Sequence, residues 1–568
     1  MVRLALLLVL AIGAGACTTS APRRPPAASE EGREATGGTP TTLYRGGDIL
    51  TMVGDAPEYV EALVVSDGRI LFAGAESAAR ARAGDAARVV DLDGRTMLPG
   101  FIDGHGHVAH AIEFQRYRFL RTPDVRDVPG LVAALKAHAS RIGVAPGDWI
   151  VGYGHDPAVL AERRHPTAEE LDGVSTEHPV LLMPASGDLG VANHAALVRT
   201  GGLRQSTGLV APRDYARVRA AIPALTPQQV ATFTDMAMRD VASRGLTTVT
   251  EGDTTASQWR LLMEAEAHGA LTADVVAYAN DTQAAMRGMA MRTSARNVAD
   301  TMSGAPGRLR LAGLAFWTSR AAGTGTGWRS PSPTAPFHDA AHGPHAGRLD
   351  PTRHVRASID TWYATRHQIL VHVDGDTDAD AVLTAIDAAQ KTHGVDDRRP
   401  ILVQCGQYRD DHLAAMQAMG VIPSFSPTWP ADAIGRCSTT PGEAQGQRRA
   451  AMAAVAGRGM PYTIHGDGTF EPRDVLRVVG ATVSQPAPPR ADDAGPEPTV
   501  TPYQALLSVT RHAAFALFEE GRKGTLEPGK RADLVILERN PLKVEPAAIG
   551  EIRVLQTIKD GVTVYRAH

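Results

Sequence analysis

Leu98-Pro99-Gly100-Phe101-Ile102-Asp103-Gly104-His105-Gly106-His107-Val108-Ala109 is an apolar run that closes on two histidines one residue apart. Read as a strand, its side chains alternate faces, so His105 and His107 point the same way. Two imidazoles on one face at a strand end are half of a metal site, and a hydrolytic metal accounts for them. Alone, the pattern is weak. Among 568 residues with 20 histidines, chance supplies about 0.7 His-x-His pairs, and two turn histidines after a Pro-Gly are the plain alternative. The rest of the chain has to decide.

The length calls for one large domain with additions or for several domains. Hydrophobic content of 43%, charged content of 21% and a formal charge of −4 describe an ordinary globular protein. No basic stripe with interleaved aromatics is present, so nucleic acid is not an expected partner.

The N-terminus differs in kind. Arg3 precedes the apolar run Leu4 to Ile12, too short to span a membrane as a mature helix. It reads as the core of a secretory signal, with Ala14-Gly15-Ala16 before Cys17. The run resembles a bacterial lipoprotein signal, which implies cleavage before Cys17, its lipidation, and a bacterial cell-envelope, periplasm-facing location. Alanine at the first position of that box leaves an ordinary signal-peptidase cut open. Residues 18–41, rich in Pro, Ser, Thr and Gly with almost no large apolar side chains, read as a flexible tether. Cys405 and Cys437 remain; an exported protein can pair them, and both equally suit buried small hydrophobes.

Residues 42–96 and 521–568 are β-rich. Ala62-Leu63-Val64-Val65 and Arg69-Ile70-Leu71-Phe72 flank Asp67-Gly68, and Asp560-Gly561 precedes Thr563-Val564-Tyr565; an Asp-Gly between apolar runs is a hairpin signal. A small β-sandwich domain built from both ends of the chain is expected, enclosing a large insertion. Between them, apolar strand candidates near 97–105, 245–251, 272–279, 309–317, 368–374, 400–405, 419–425 and 460–467 alternate with Ala-rich helical segments. Eight such units predict an α/β fold, a (β/α)8 TIM-type barrel over 97–520, with reactive groups at the C-terminal strand ends. Residues 106–244 are too many for one crossover and carry an insertion, with strand-like Trp149–Tyr153 and Pro179–Met183.

Two more strand ends carry metal-competent groups. Ile369-Leu370-Val371-His372 ends the fifth candidate, and Thr463-Ile464-His465-Gly466-Asp467 closes the eighth with His465 and Asp467 on one face. A lone strand histidine is ordinarily a core residue, but three such ends, each after an apolar run, strain that explanation.

Pro99 to His107 resembles the first-strand signature of the metal-dependent amidohydrolase superfamily, and Gly524-Thr525-Leu526-Glu527-Pro528-Gly529-Lys530-Arg531-Ala532-Asp533-Leu534-Val535 resembles its C-terminal β-domain signature. Gly152-Tyr153-Gly154-His155-Asp156, Arg163-Arg164-His165-Pro166-Thr167 with Leu171-Asp172, and Gly245-Leu246-Thr247-Thr248-Val249 are similar to the amidohydrolase 3 (YtcJ-like) branch. The resemblance covers roughly residues 42–568. It implies a metal held by His105, His107 and His372, with Asp467 as ligand or as the general base that moves water's proton to the leaving nitrogen. It implies a hydrolase of carbon–nitrogen bonds other than peptide bonds, acting on a small amide, cyclic amide, carbamate or related molecule. Neutral imidazoles and a carboxylate suit Zn2+.

The site departs from that pattern. Ala315, in Leu314-Ala315-Phe316-Trp317, stands where a bridging lysine is usual, so one divalent ion is expected rather than two. Gln404 replaces a strand-six histidine and offers at most a weak ligand or a substrate contact, as His465 also does. Asp188 stands where relatives often carry a histidine, and Trp429 where some do. His338, His342 and His345 fall in a loop, as a second ion site or a solvated segment; Asp374 and Asp376 either orient His372 or cap a helix. Two readings follow: an altered mononuclear hydrolase, favoured because four ligands complete a tetrahedral set, or a degenerate relative that binds a ligand without turnover.

Overall fold

The computed structural model describes residues 41–120, 125–155, 157, 160–184, 190–201, 207–210, 212–281, 288–289, 307–318, 351–373, 376–404, 408–428, 441–466, 474–484 and 499–567. Cys17, Asp188, His338, His342, His345, Asp374, Cys405, Trp429, Cys437 and Asp467 lie outside them, as do the side chains of Asp376 and Gln404.

Both ends of the chain share one sheet. It takes β1 (Thr42–Leu50), β2 (Tyr59–Ser66), β3 (Arg69–Gly74), β4 (Arg88–Asp91) and β5 (Thr96–Pro99) from the front, and three strands from the last 35 residues. The two Asp-Gly pairs make the expected hairpin turns. Asp67 and Gly68 have φ of 50° and 71°, Asp560 and Gly561 49° and 77°, the left-handed pair that a two-residue turn between twisted strands requires. Leu63 and Val65 enter one apolar cluster with Ile49, Met97 and Leu534. Ala62 and Val64 enter another on the opposite face. The strands of the expected sandwich are therefore joined by hydrogen bonds into a single eight-stranded sheet, because strand 534–537 pairs antiparallel with β5 and bridges front and back.

β6 (Phe101–Ile102) follows β5 at once and opens a second sheet. Within the insertion lies a third, formed by β7 (Tyr117–Phe119), β8 (Ile150–His155), β9 (Val180–Pro184), β10 (Gly190–Ala192) and β11 (Leu209–Val210). Its order is β11-β10-β9-β8-β7. The strand-like stretches near Trp149 and Pro179 are thus part of a five-stranded sheet with an apolar cluster on each face, one around Trp149, Tyr153 and Leu181, the other around Ile150, Leu182 and Leu135.

The second sheet continues with β12 (Leu246–Thr254), β13 (Asp274–Asn280), β14 (Leu309–Trp317), β15 (Gln368–Val373), β16 (Ile401–Gln404), β17 (Ile422–Phe425) and β18 (Thr463–Ile464). All eight strands run parallel, neighbours in space in their chain order. Each falls on a candidate read from the sequence. The sheet curls so that the connection after β6 reaches β18: a Cβ on Gly104 would lie 2.7 Å from Cβ of Thr463, so only glycine fits. Alternation sorts the side chains. Ile102, Val276, Tyr278, Ala315, Leu370, Ile401, Val403 and Ile422 fill the inside, while Val275, Leu314, Phe316 and Val371 meet the surrounding helices.

β19 (Leu534–Leu537), β20 (Val554–Lys559) and β21 (Val562–Arg566) complete the first sheet. A buried ion network ties its end to the start of β13. Lys559 Nζ lies 3.0 Å from Asp533 and 3.1 Å from Asp274; Lys523 pairs with Asp274 and, at 2.6 Å, with Glu519. Burial opposes charge on Asp274, yet Lys523, Lys559 and Arg531 hold its carboxyl well below the usual range. The C-terminal signature segment therefore carries structure: its Asp533 faces Lys559.

Candidate active site

His105 and His107 do not stand on a strand. β6 leaves its ladder after Ile102, and both histidines belong to the connection into the helix Val108–Phe114, with His107 at the helix N-cap. Strand alternation therefore does not align them, contrary to the expectation from the sequence. The close packing of β12 does. Gly252 N–H donates to Gly106 C=O at 2.8 Å, and His107 and Glu251 form an isolated backbone bridge. The consequence for function is the same, because both rings enter one buried site.

His372 lies within β15, and His465 follows β18, its N–H bonded to Phe425 C=O. The four histidines come from three separate strand ends, and the fold gathers them around His105. Ring centroids stand 5.2 Å from His105 to His107, 4.8 Å to His372 and 5.0 Å to His465, each pair edge-on. All four are at most 2% exposed. Imidazoles that bind one zinc at about 2.1 Å in tetrahedral or tighter angles place their centroids about 4.5–5.3 Å apart. The three distances from His105 fall within that range.

A second constellation shares His107. Donor atoms of His107, His110 and Glu251 lie within 4.8 Å of one another, all buried. Glu251 accepts from Ala109 N–H at 2.7 Å and faces His107 Nδ1 at 3.3 Å; the Gln258 amide lies 2.8 Å from His110 Nε2. Further out, Asn280 donates to Asp253 at 2.6 Å across the ends of β12 and β13. Sequence reading passed over Glu251, Gly252 and His110. The available signal was Thr250-Glu251-Gly252-Asp253, acid closing an apolar strand at its C-terminal end.

Strand four also reads differently in three dimensions. Trp317, not Ala315, is the cross-strand partner of His372; Ala315 pairs with Leu370 one layer deeper. The Trp317 indole stacks on the His372 imidazole with centroids 3.5 Å apart and planes 10° from parallel. Thr318 buttresses the same strand, its Oγ1 lying 3.0 Å from His372 C=O and 2.7 Å from Asp378. The space level with His372 on that side is thus taken by an aromatic ring with no ligand atom for a metal.

The two motifs of the insertion also meet. His155, at the end of β8, places Nε2 3.1 Å from Nδ1 of His165. Burial, and secondarily His165, hold His155 down at about 3, so it stays neutral at every pH near 7. The unfolded chain takes up a proton near 6.5 that the folded chain refuses, so stability is flat above that pH and falls below it. Lowering pH from 7 to 5 should cost about 2 kcal/mol through this group. Urea titrations at both pH values test this, since His155→Asn should flatten the difference.

Residues 88–565 match the sequence profile of the amidohydrolase family. The chain belongs to that family and is a hydrolase of carbon–nitrogen bonds outside peptides. An N-substituted formamide deformylase from Arthrobacter pascens is 25% identical over 89% of this chain and 95% of its own. YtcJ of Bacillus subtilis (strain 168) is 22% identical over 92% of this chain and 99% of its own. Among solved structures, an uncharacterized metal-dependent hydrolase from Pyrococcus furiosus superimposes with a TM-score of 0.65 at 22% identity, over 89% of this chain and all of that one. An adenosine deaminase from Xanthomonas campestris with bound zinc gives 0.51 at 15% identity, over 92% of each chain. These two likenesses concern the fold.

Proposed function

We propose that this chain is a hydrolase with one divalent ion, zinc by its donor set, that cleaves a small amide, cyclic amide, carbamate or related molecule at the mouth of a (β/α)8 barrel. The observation that carries the reading is the buried ring of His107, His372 and His465 around His105. His105, His107 and His372 would hold the ion, with Asp467 completing the set. The ion supplies Lewis acidity and lowers the pKa of nearby water. Asp467, two residues beyond His465, is the proton carrier: it takes a proton from attacking water and returns it to the leaving nitrogen. His465 faces the reacting centre as a substrate contact. The formamide deformylase that spans nearly the same length supports a small acyl amide as substrate class.

The test joins metal analysis of the purified mature chain to hydrolysis of a panel of N-formyl amines, amides, cyclic amides and carbamates. About one zinc per chain and a metal-dependent hit are expected. Asp467→Asn should lower kcat about 10²–10⁴-fold with the ion retained; full activity in that variant, or hydrolysis without metal, refutes the reading. Trp317 leaves no ligand at strand four, so the ion count should stay at one under excess zinc. Two tightly held ions per chain would refute the mononuclear site.

We also propose that the mature chain is held in the cell envelope by lipid on Cys17 and that residues 42–96 and 521–568 form one domain. Incorporation of labelled palmitate, absent in Cys17→Ser, tests the anchor. Among the described residues no helix is long and apolar enough to cross a membrane.

A further inference from the structure

We propose that Glu251-Gly252 at the end of β12 is the positioning element of the histidine site: Glu251 fixes which nitrogen of His107 carries hydrogen, and Gly252 admits the ring of His105. The proposal rests on the metal reading above and adds the ligand atom, Nε2 of His107, together with the group that selects it. Glu251 is buried completely, a costly place for a carboxylate unless its oxygens are used. Both are used. Oε2 accepts from Ala109 N–H at 2.7 Å, and Oε1 stands 3.3 Å from Nδ1 of His107. A carboxylate oxygen only accepts, so the hydrogen of that contact belongs to Nδ1. Neutral imidazole carries a single ring hydrogen, which leaves the lone pair on Nε2. The Ala109 bond locks the carboxylate against rotation, because it ties the acid to the first turn of the helix that His107 caps.

Gly252 performs the complementary task by lacking a side chain. A Cβ there would stand 2.2 Å from Cε1 and 2.5 Å from Nδ1 of His105. Both contacts fall far inside van der Waals distance, so the imidazole occupies the volume that any other residue would fill. One strand end thus sets both histidines, one by hydrogen bonding and one by vacancy. The donor atoms of His107, His110 and Glu251 do lie close enough to suggest an ion among themselves. Two of these groups also have protein partners: Ala109 N–H donates to Glu251 Oε2, and the Gln258 amide meets His110 Nε2.

The experiment reads the hydrogen first and zinc second. In metal-free chain labelled with 15N-histidine, His107 is assigned by the signal lost in His107→Gln, and its Nδ1 should carry the hydrogen. Glu251→Gln keeps the shape but offers one acceptor where two N–H groups each need one. The Nδ1–H form should be lost or mixed in that variant. Zinc affinity, measured against a competing chelator, should fall about 10–100-fold. Glu251→Asp, which keeps the carboxylate, should recover part of it, and unchanged far-ultraviolet circular dichroism would show that the variants fold. Gly252→Ala should also weaken zinc binding by displacing His105. Hydrogen on Nε2 in the wild-type chain overturns the proposal, as does zinc affinity in Glu251→Gln within twofold of wild type. Should wild type bind no zinc, the metal reading fails, while the 15N spectrum still decides whether Glu251 orients His107.

Discussion

His105→Ala is expected to strip zinc from the chain and lower kcat/KM by at least about 10³-fold, because an ion worth about 4 kcal/mol at the transition state corresponds to that factor. His105 is the hub of the ring set; the centroids of His107, His372 and His465 all lie within 5.2 Å of it. Its ring is fully buried, so alanine leaves a hole among three remaining imidazoles. His372→Ala should lose metal equally and also uncover Trp317, whose indole lies flat on that imidazole. A change in tryptophan emission is therefore expected for His372→Ala and not for His105→Ala. His194, exposed and bonded to Asp172, is the control: His194→Ala should retain both zinc and rate. Wild-type metal content and rate in His105→Ala would show that the site lies elsewhere.

The second large effect is on stability. Lys559→Met should destabilise the chain by about 3–5 kcal/mol, because removal of one partner leaves a buried charge uncompensated. Asp533 would lose both hydrogen bonds from Lys559, at 3.0 Å each, and Asp274 would lose a neighbour at 3.1 Å. This network fastens the end of the terminal sheet to the first residue of β13, so unfolding should remain cooperative with its midpoint moved to lower urea. Lys543 pairs with Asp48 on the surface, where solvent screens the attraction; Lys543→Met should barely move the midpoint. Equal shifts for both lysines would mean that burial does not set the strength of these pairs.

Much of this was legible in the chain. Eight apolar runs named the eight parallel strands, because each strand buried on both faces must be apolar along its length. The Asp-Gly pairs announced two hairpins, since few other dipeptides adopt positive φ twice in succession. The His-x-His pair, His372 and His465 were found for a similar reason: histidine closing an apolar run is costly in a core and therefore informative. Asp467 and the signal segment carry their own sequence patterns, and remain readings of those patterns.

What sequence could not give is who stands beside whom. His105 and His107 share the site through a loop braced by β12, not through strand alternation. Glu251 lies 144 residues from the histidine it faces, and no local periodicity reports a contact of that range. Ala315 stands where a bridging lysine is usual, yet the register of β14 on β15 puts Trp317 level with His372. The sequence by itself determined the strands, their order of appearance and the imidazoles available, because those follow from local burial and turn chemistry. Only the tertiary structure decided register, the partner of each imidazole and the aromatic ring beside His372, because these depend on side chains brought together from distant strands by the curl of one sheet.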